Sequence, residues 1–186
     1  MKRFLDLLAA CIGLIVLAPL FLLCMLAVRL TSPGPIFYIS DRIGIHNSHF
    51  MMLKFRTMRI DTPQLATHLM TDPTAYLTLI GAFFRKTSLD ELPQLINVLK
   101  GDMSLVGPRP ALFNQNDLIN LRTEKGIHVL TPGVTGWAQI NGRDELPIPV
   151  KVEYDAYYLE HRSSLLDMKI IILTVLKTLR REGVHH

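Results

Sequence analysis

From Leu7 to Val28 the chain carries no charged side chain, a run long enough to reach across a bilayer as one helix. Pro19 lies near its middle, removes a backbone donor and predicts a kink there. Ser32-Pro33-Gly34-Pro35 ends the run. Two short apolar-aromatic stretches follow, Ile36–Ser40 and Phe50–Met58. They flank a turn-rich segment and predict a β-hairpin. Thr62-Pro63 and Thr71-Asp72-Pro73 each predict the start of a further element. Ser88, with Glu91 three residues on, has the spacing of a capping box. Leu92, Leu95, Ile96, Val98 and Leu99 give the helix it would open an apolar face. Gly101 predicts its end, and Pro93 falls early, where a missing N–H costs least. A turn-prone stretch to Pro110, a helix over 113–125 and a glycine-rich stretch over 131–143 come next. The last helix, 164–181, is amphipathic. Lys169, Lys177 and Arg180 share one side, while Met168, Ile172, Val175, Leu176 and Leu179 cover the other. The pattern predicts an α+β fold, a small and mainly helical domain with a short β-hairpin.

Both flanks of the apolar run are basic, with Lys2 and Arg3 before it and Arg29 after. The positive-inside rule favours both ends on the cytoplasmic face, which a helix bent back at Pro19 satisfies. A kinked span is the other reading, because membrane helices tolerate proline. A cleaved signal does not fit: Arg29-Leu30-Thr31-Ser32-Pro33 follows the run with no small-x-small cleavage site. The last helix fits either the interface of an anionic membrane or ordinary packing on a core. Net charge is +4, and outside the first 29 residues 17 basic and 15 acidic residues nearly cancel. That balance excludes the electrostatic footprint of a nucleic-acid binder. Cys11 and Cys24 are the only cysteines and lie inside the apolar run, so no disulfide framework exists.

The chemistry points to Asp90 and Glu91. These adjacent acids lie between Leu89 and Leu92, with Arg85 and Lys86 upstream and Arg109 downstream. A capping box explains Glu91, and the macrodipole favours Asp90 near a helix N-terminus. A ligand carrying a diphosphate explains the whole set. Arginine forks pair phosphate oxygens, a divalent metal on carboxylate oxygens neutralises more charge, and an aspartate can act as nucleophile. The glycine-rich stretch can offer N–H groups to phosphate but lacks the Walker pattern.

Three stretches carry a resemblance. Lys54–Met58 (K-F-R-T-M), Ser88–Pro110 (S-L-D-E-L-P-Q-L-I-N-V-L-K-G-D-M-S-L-V-G-P-R-P) and Pro132–Arg143 (P-G-V-T-G-W-A-Q-I-N-G-R) are similar to the bacterial sugar transferases, the monotopic phosphoglycosyl transferases. The likeness covers nearly the whole chain and is to the minimal members, which carry no multi-span N-terminal domain. It implies a re-entrant, proline-broken membrane helix over 1–30. Residues 31–186 would be a cytosolic catalytic domain resting on the membrane through interfacial amphipathic helices, at the cytoplasmic face of the bacterial inner membrane.

The resemblance further implies a two-step transfer. Asp90 attacks the sugar-linked phosphorus of a UDP-sugar and UMP leaves. A polyprenol (undecaprenyl) phosphate then takes the phosphosugar, initiating glycan assembly. Asp90 and Glu91 are the implied catalytic pair and Mg2+ ligands. Lys54, Arg85 and Arg109 are the implied phosphate and nucleotide contacts. Partners would be the UDP-sugar, the polyprenol phosphate and membrane lipids, with no nucleic acid; a homodimer is left open. The competing readings are a catalytically silent adaptor of the same pathway and a phosphohydrolase. The early turn departs from its relatives, with Asn47 and Ser48 at Gly and Lys places and Ser40 where Gln is common. His46 and His49 make a weak metal pair. Asp102, Asp155 and Asp167 read as ion-pair or supporting groups. Trp137, Tyr154, Tyr157 and Tyr158 read as core packing before ligand stacking.

Overall fold

The computed structural model describes residues 2–62, 73–142 and 146–180. The element expected from Pro63, residue Arg143 and the terminal His185-His186 lie outside the described residues. The apolar run forms two helices, α1 (Lys2–Val16) and α2 (Ala18–Thr31), bent by 65° at their junction. Pro19 in the first turn of α2 is the physical cause, as expected. The ladder persists on either side, from Leu17 N–H to Gly13 O and from Phe21 N–H to Leu17 O. Among the described residues no single helix is long and apolar enough to cross a membrane, and the bent pair meets that test only together.

A hairpin follows, β1 (Phe37–Ile43) against β2 (His49–Phe55), with Tyr38 opposite Lys54 and Arg42 opposite Phe50. His46 and Asn47 at its tip have φ of 53° and 58°. Asn47 tolerates that conformation, so the turn survives the missing glycine. Next come α3 (Gly81–Thr87), α4 (Gln94–Lys100) and β3 (Ser104–Val106). Then follow α5 (Asn116–Glu124), β4 (Gly133–Thr135), α6 (Trp137–Ile140), α7 (Ile148–His161) and α8 (Ser164–Arg180). β3 and β4 pair in parallel. The architecture is α+β and mainly helical, as the sequence pattern predicts.

The first helix of the pair, α1, is inverted relative to an ordinary surface helix. Asp6 and Ala10 of α1 are buried, and a Cβ on Gly13 would lie 3.3 Å from Leu95. This small and polar stripe faces the domain, while Phe4, Ile12, Ile15 and Val16 are exposed. Asp6 accepts from Ser104 Oγ at 2.8 Å and from the Leu105 N–H at 3.1 Å. Arg3 donates to Val98 O and Leu99 O, closing the C-terminal carbonyls of α4. Lys2 pairs with Asp167 on α8 at 2.6 Å. At the far end of the pair, Arg56 donates to Ser32 O and Pro33 O. Both ends of the bent pair are therefore bonded to one folded body.

Three apolar clusters form the core. One joins Ala10 to Phe50, Met52, Val98 and Met103, and a second joins Cys24 and Val28 to Phe55 and Phe84. The third is C-terminal and includes Leu118, Val152, Tyr158 and Ile170. α8 enters it through Ile170, with partly buried Leu166, Ile171 and Leu173, and not through its wide apolar face. Met168, Ile172, Val175 and Leu176 are all exposed.

The Asp6 contacts predict a stability order. Asp6→Ala removes the acceptor of two bonds and strands the Leu105 N–H. It should cost about 2–3 kcal/mol, the scale for hydrogen bonds to a charged group. Lys2→Ala, at an ion pair whose lysine is 43% exposed, should cost under about 1 kcal/mol. Denaturation of both variants in one detergent measures this, and equal losses would contradict it.

Candidate active site

Asp90 and Glu91 sit on a 3-10 turn, Leu89–Glu91, between α3 and α4. The capping box does not form. Ser88 is left-handed, with φ of 57°, and its N–H closes α3 on Arg85 O and Phe84 O. Its side chain caps nothing, and α4 begins only at Gln94. Leu89 and Leu92 pack into the cluster of Cys24, Val28, Phe55 and Phe84. Those two leucines seat the turn, and the acids between them meet cations.

Each cation comes from a different segment. Lys54, on β2, donates to Glu91 Oε1 at 2.7 Å and lies 3.9 Å from Asp90 Oδ2. Arg109, in the loop after β3, reaches Glu91 Oε1 at 3.3 Å. Arg85, on α3, acts on Asp90 electrostatically and donates through Nε to Thr57 Oγ1 at 3.0 Å. The structure thus brings all five expected site residues together. Asp90 is 7% exposed. Burial pushes its carboxyl up to about 6. Lys54 is the strongest opposing influence, Glu91 adds to the rise, and Arg85 and Arg109 oppose it. Burial also pulls the Arg85 guanidinium below its ordinary value, against Asp90 and the Tyr38 phenol.

Several supporting residues were not legible in the sequence. Thr57 holds Arg85, and α3 can start beside it only because residue 81 is glycine, since a Cβ there would lie 2.1 Å from Thr57 O. Arg122 donates to Arg109 O at 2.8 Å and pairs with buried Asp155 at 2.6 Å. Arg42 donates to Pro110 O and to Ser40 Oγ. Two arginines therefore fix the carbonyls of residues 109 and 110. The glycine-rich stretch serves the same loop. Gly107 N–H bonds Thr135 O and Gly133 N–H bonds Pro108 O, both at 2.9 Å. A Cβ on Gly133 would lie 2.1 Å from Gly107 N. The Gly133 amide is thus used internally, in close backbone packing against Gly107.

Other candidates fall away from the dyad. Asn47 donates to Thr123 Oγ1 and Ser48 to Ile45 O. Their turn lies about 20 Å along β2 from Lys54 at ~3.3 Å per residue, so the departures there do not reach the acids. His49 pairs with Asp41, and His46 lies against His128. Asp102 accepts from Asn97, while Asp167 accepts from buried Tyr158. Trp137 stacks on Tyr157.

Asp90 and Glu91 fit a hard divalent ion. One or two carboxylates, completed by substrate phosphate and water, is the usual magnesium donor set. Among the described residues no cluster of three or more His, Cys, Asp or Glu could hold a metal, so ligand oxygens would complete the shell. Gln94 adds a polar group four residues beyond Asp90. It is 2% exposed, and its Nε2 is buried without a partner.

The family model for bacterial sugar transferases matches residues 1–181. The chain belongs to the bacterial sugar transferase family. It is 45% identical over 186 residues to the "Uncharacterized sugar transferase EpsL" of Bacillus subtilis (strain 168), across 99% of this chain and 90% of that protein. It is 40% identical over 194 residues to the UDP-glucose:undecaprenyl-phosphate glucose-1-phosphate transferase of Xanthomonas campestris pv. campestris, across 99% of this chain and 40% of that protein. The protein of the same name in Escherichia coli (strain K12) is 39% identical over 184 residues, across 95% of this chain and 40% of its own length. This family member thus spans most of EpsL and about two-fifths of the two glucose-1-phosphate transferases.

The raised Asp90 carboxyl sets a stability profile. Between about pH 4 and 6 the folded protein holds a proton that the unfolded chain has released, so stability falls as pH rises through that window. Asp90→Asn should therefore stabilise the metal-free protein by up to about 3 kcal/mol above pH 7, with the gain gone below about pH 4. Unfolding curves with chelator at several pH values check this. A gain independent of pH would contradict it.

Proposed function

We propose that the protein transfers a sugar-1-phosphate from a UDP-sugar to undecaprenyl phosphate. The observation that carries this is a nearly buried aspartate held among three cations from three segments, in a family whose named relatives include such transferases. In the first step Asp90 Oδ attacks the sugar-linked phosphorus. The bond to the bridging oxygen breaks, and UMP leaves with that electron pair. In the second step a phosphate oxygen of undecaprenyl phosphate attacks the same phosphorus, the Asp90–phosphorus bond breaks, and the carboxylate returns. Magnesium held by Asp90 and Glu91 would supply charge neutralisation at the diphosphate. Lys54, Arg85 and Arg109 offset the negative charge that otherwise keeps a carboxylate from a diphosphate. Burial of Asp90 leaves its carboxylate poorly solvated and so more nucleophilic.

The membrane placement belongs to the same proposal. At ~1.5 Å per residue a symmetric V with this bend reaches about 12 Å from its ends to its tip, well short of a ~30 Å hydrocarbon core. Supporting a re-entrant pair are its exposed apolar outer face and the bonding of both its ends to one body. The exposed Met168, Ile172, Val175 and Leu176 of α8 support a second, interfacial contact. The proposal puts the catalytic domain at the cytoplasmic face of the bacterial inner membrane, where the basic flanks of the apolar run favour it.

The test is UMP release in detergent with Mg2+, from a panel of UDP-sugars, with and without undecaprenyl phosphate. Sustained lipid-dependent release is expected. Asp90→Asn should lower it by at least about a thousandfold, and chelation should stop it. Full turnover in Asp90→Asn would remove the nucleophile assignment. Free sugar phosphate as product would identify a hydrolase, and no release from any donor would favour the silent adaptor.

A further inference from the structure

A shallow groove runs between β1 and the segment 112–114. Tyr38, Ser40 and Asp41 line one side, and Leu112, Phe113 and Asn114 the other. It adjoins the acids at one end. Tyr38 stands opposite Lys54 across the hairpin, on the same face of the strand pair. The other wall continues directly from Arg109, and a backbone bridge between Arg42 and Leu112 fixes it to β1. Anything bound at the three cations and extending from them along this wall enters the groove.

We infer that this groove holds the nucleoside end of the UDP-sugar, with the uracil ring against Tyr38 and Phe113. The inference deepens the proposed function and rests on it for the diphosphate. Its own support is the lining. Tyr38 and Phe113 are 43% and 47% exposed, two large rings that the core does not use. Every nucleobase has a π-face that stacks on such rings. Ser40 Oγ accepts from Arg42, and the Asp41 carboxylate pairs with His49. Asn114 and Tyr38 are exposed members of the lining whose polar groups a ligand can reach. An amide offers one donor and one acceptor side by side, which matches the imide edge of uracil.

The experiment reads nucleotide binding apart from turnover. UMP is titrated into the full-length protein in detergent with Mg2+, for the native chain and for Phe113→Ala and Asn114→Ala. Both side chains are exposed, so neither change threatens the fold. Each variant should bind UMP about tenfold more weakly. Its KM for the UDP-sugar should rise by the same factor, with the KM for undecaprenyl phosphate unchanged. Native affinity for UMP in both variants would overturn the inference. So would failure of the native protein to bind UMP. A raised KM for the UDP-sugar with UMP binding intact would overturn it too, by giving the groove to the sugar. Groove-dependent UMP binding without turnover in the native protein would uphold this inference and sink the transferase reading.

Discussion

The fold is organised around the burial of two adjacent carboxylates. Taking Asp90 to 7% exposure beside Glu91 is unfavourable, as the rise of its carboxyl to about 6 records. No single element can supply the compensating charge. Lys54 arrives on a strand, Arg85 on a helix and Arg109 on a loop, and each needs its own support. The register of β1 and β2 places Lys54. Thr57 and the close approach at Gly81 place Arg85. Arg42, Arg122 and the backbone packing of Gly107 against Gly133 place Arg109. Read outward from the acids, much of the domain is a frame for three cations.

The Arg122–Asp155 pair shows how far that frame reaches. Burial pushes the Asp155 carboxyl up while Arg122 opposes it, and the guanidinium spends a further donor on Arg109 O. Removing either partner would leave the other charge buried and alone, which costs more than the pair contributes. A link between α5 and α7 is thereby tied to the loop that holds a site cation. Asp155 is structural, and its effect on the site passes through a backbone carbonyl.

Much of this was legible in the sequence, and the failures have physical causes. Pro19 fixed the bend because a missing donor acts locally. Short apolar runs around a turn gave the hairpin for the same reason. Ser88 and Glu91 misled because a capping box is read from spacing alone. Spacing cannot see that Ser88 takes a left-handed conformation, closes the preceding helix and leaves Glu91 to Lys54. At Gly133 the pattern is ambiguous, because a phosphate cradle and a backbone-to-backbone contact need the same residue. Arg122 and Asp155 lie on separate helices, and nothing in their local pattern announces that they meet. Asp90, Glu91, Arg85 and Arg109 stand out in one local stretch, whereas Lys54 came from the family likeness. Lys54 stands 36 residues before Asp90, and only the hairpin brings them within 3.9 Å.

The helix pair couples the site to the apolar surface. Composition reveals that residues 7–28 are apolar, but not that Asp6, Ala10 and Gly13 form the side that faces the protein. That stripe lets α1 lie close to α4 while its large side chains point away. On α2, Cys24 and Val28 share a cluster with Leu89 and Leu92, the two residues that seat the acids. The turn carrying Asp90 is thus packed on the helix pair itself. If the pair dips into a bilayer, the height of Asp90 above the lipid is set by side-chain packing and not by a flexible linker. In the proposed reaction, Asp90 meets a soluble nucleotide-sugar and then a lipid phosphate, and such an order of encounters calls for a fixed height.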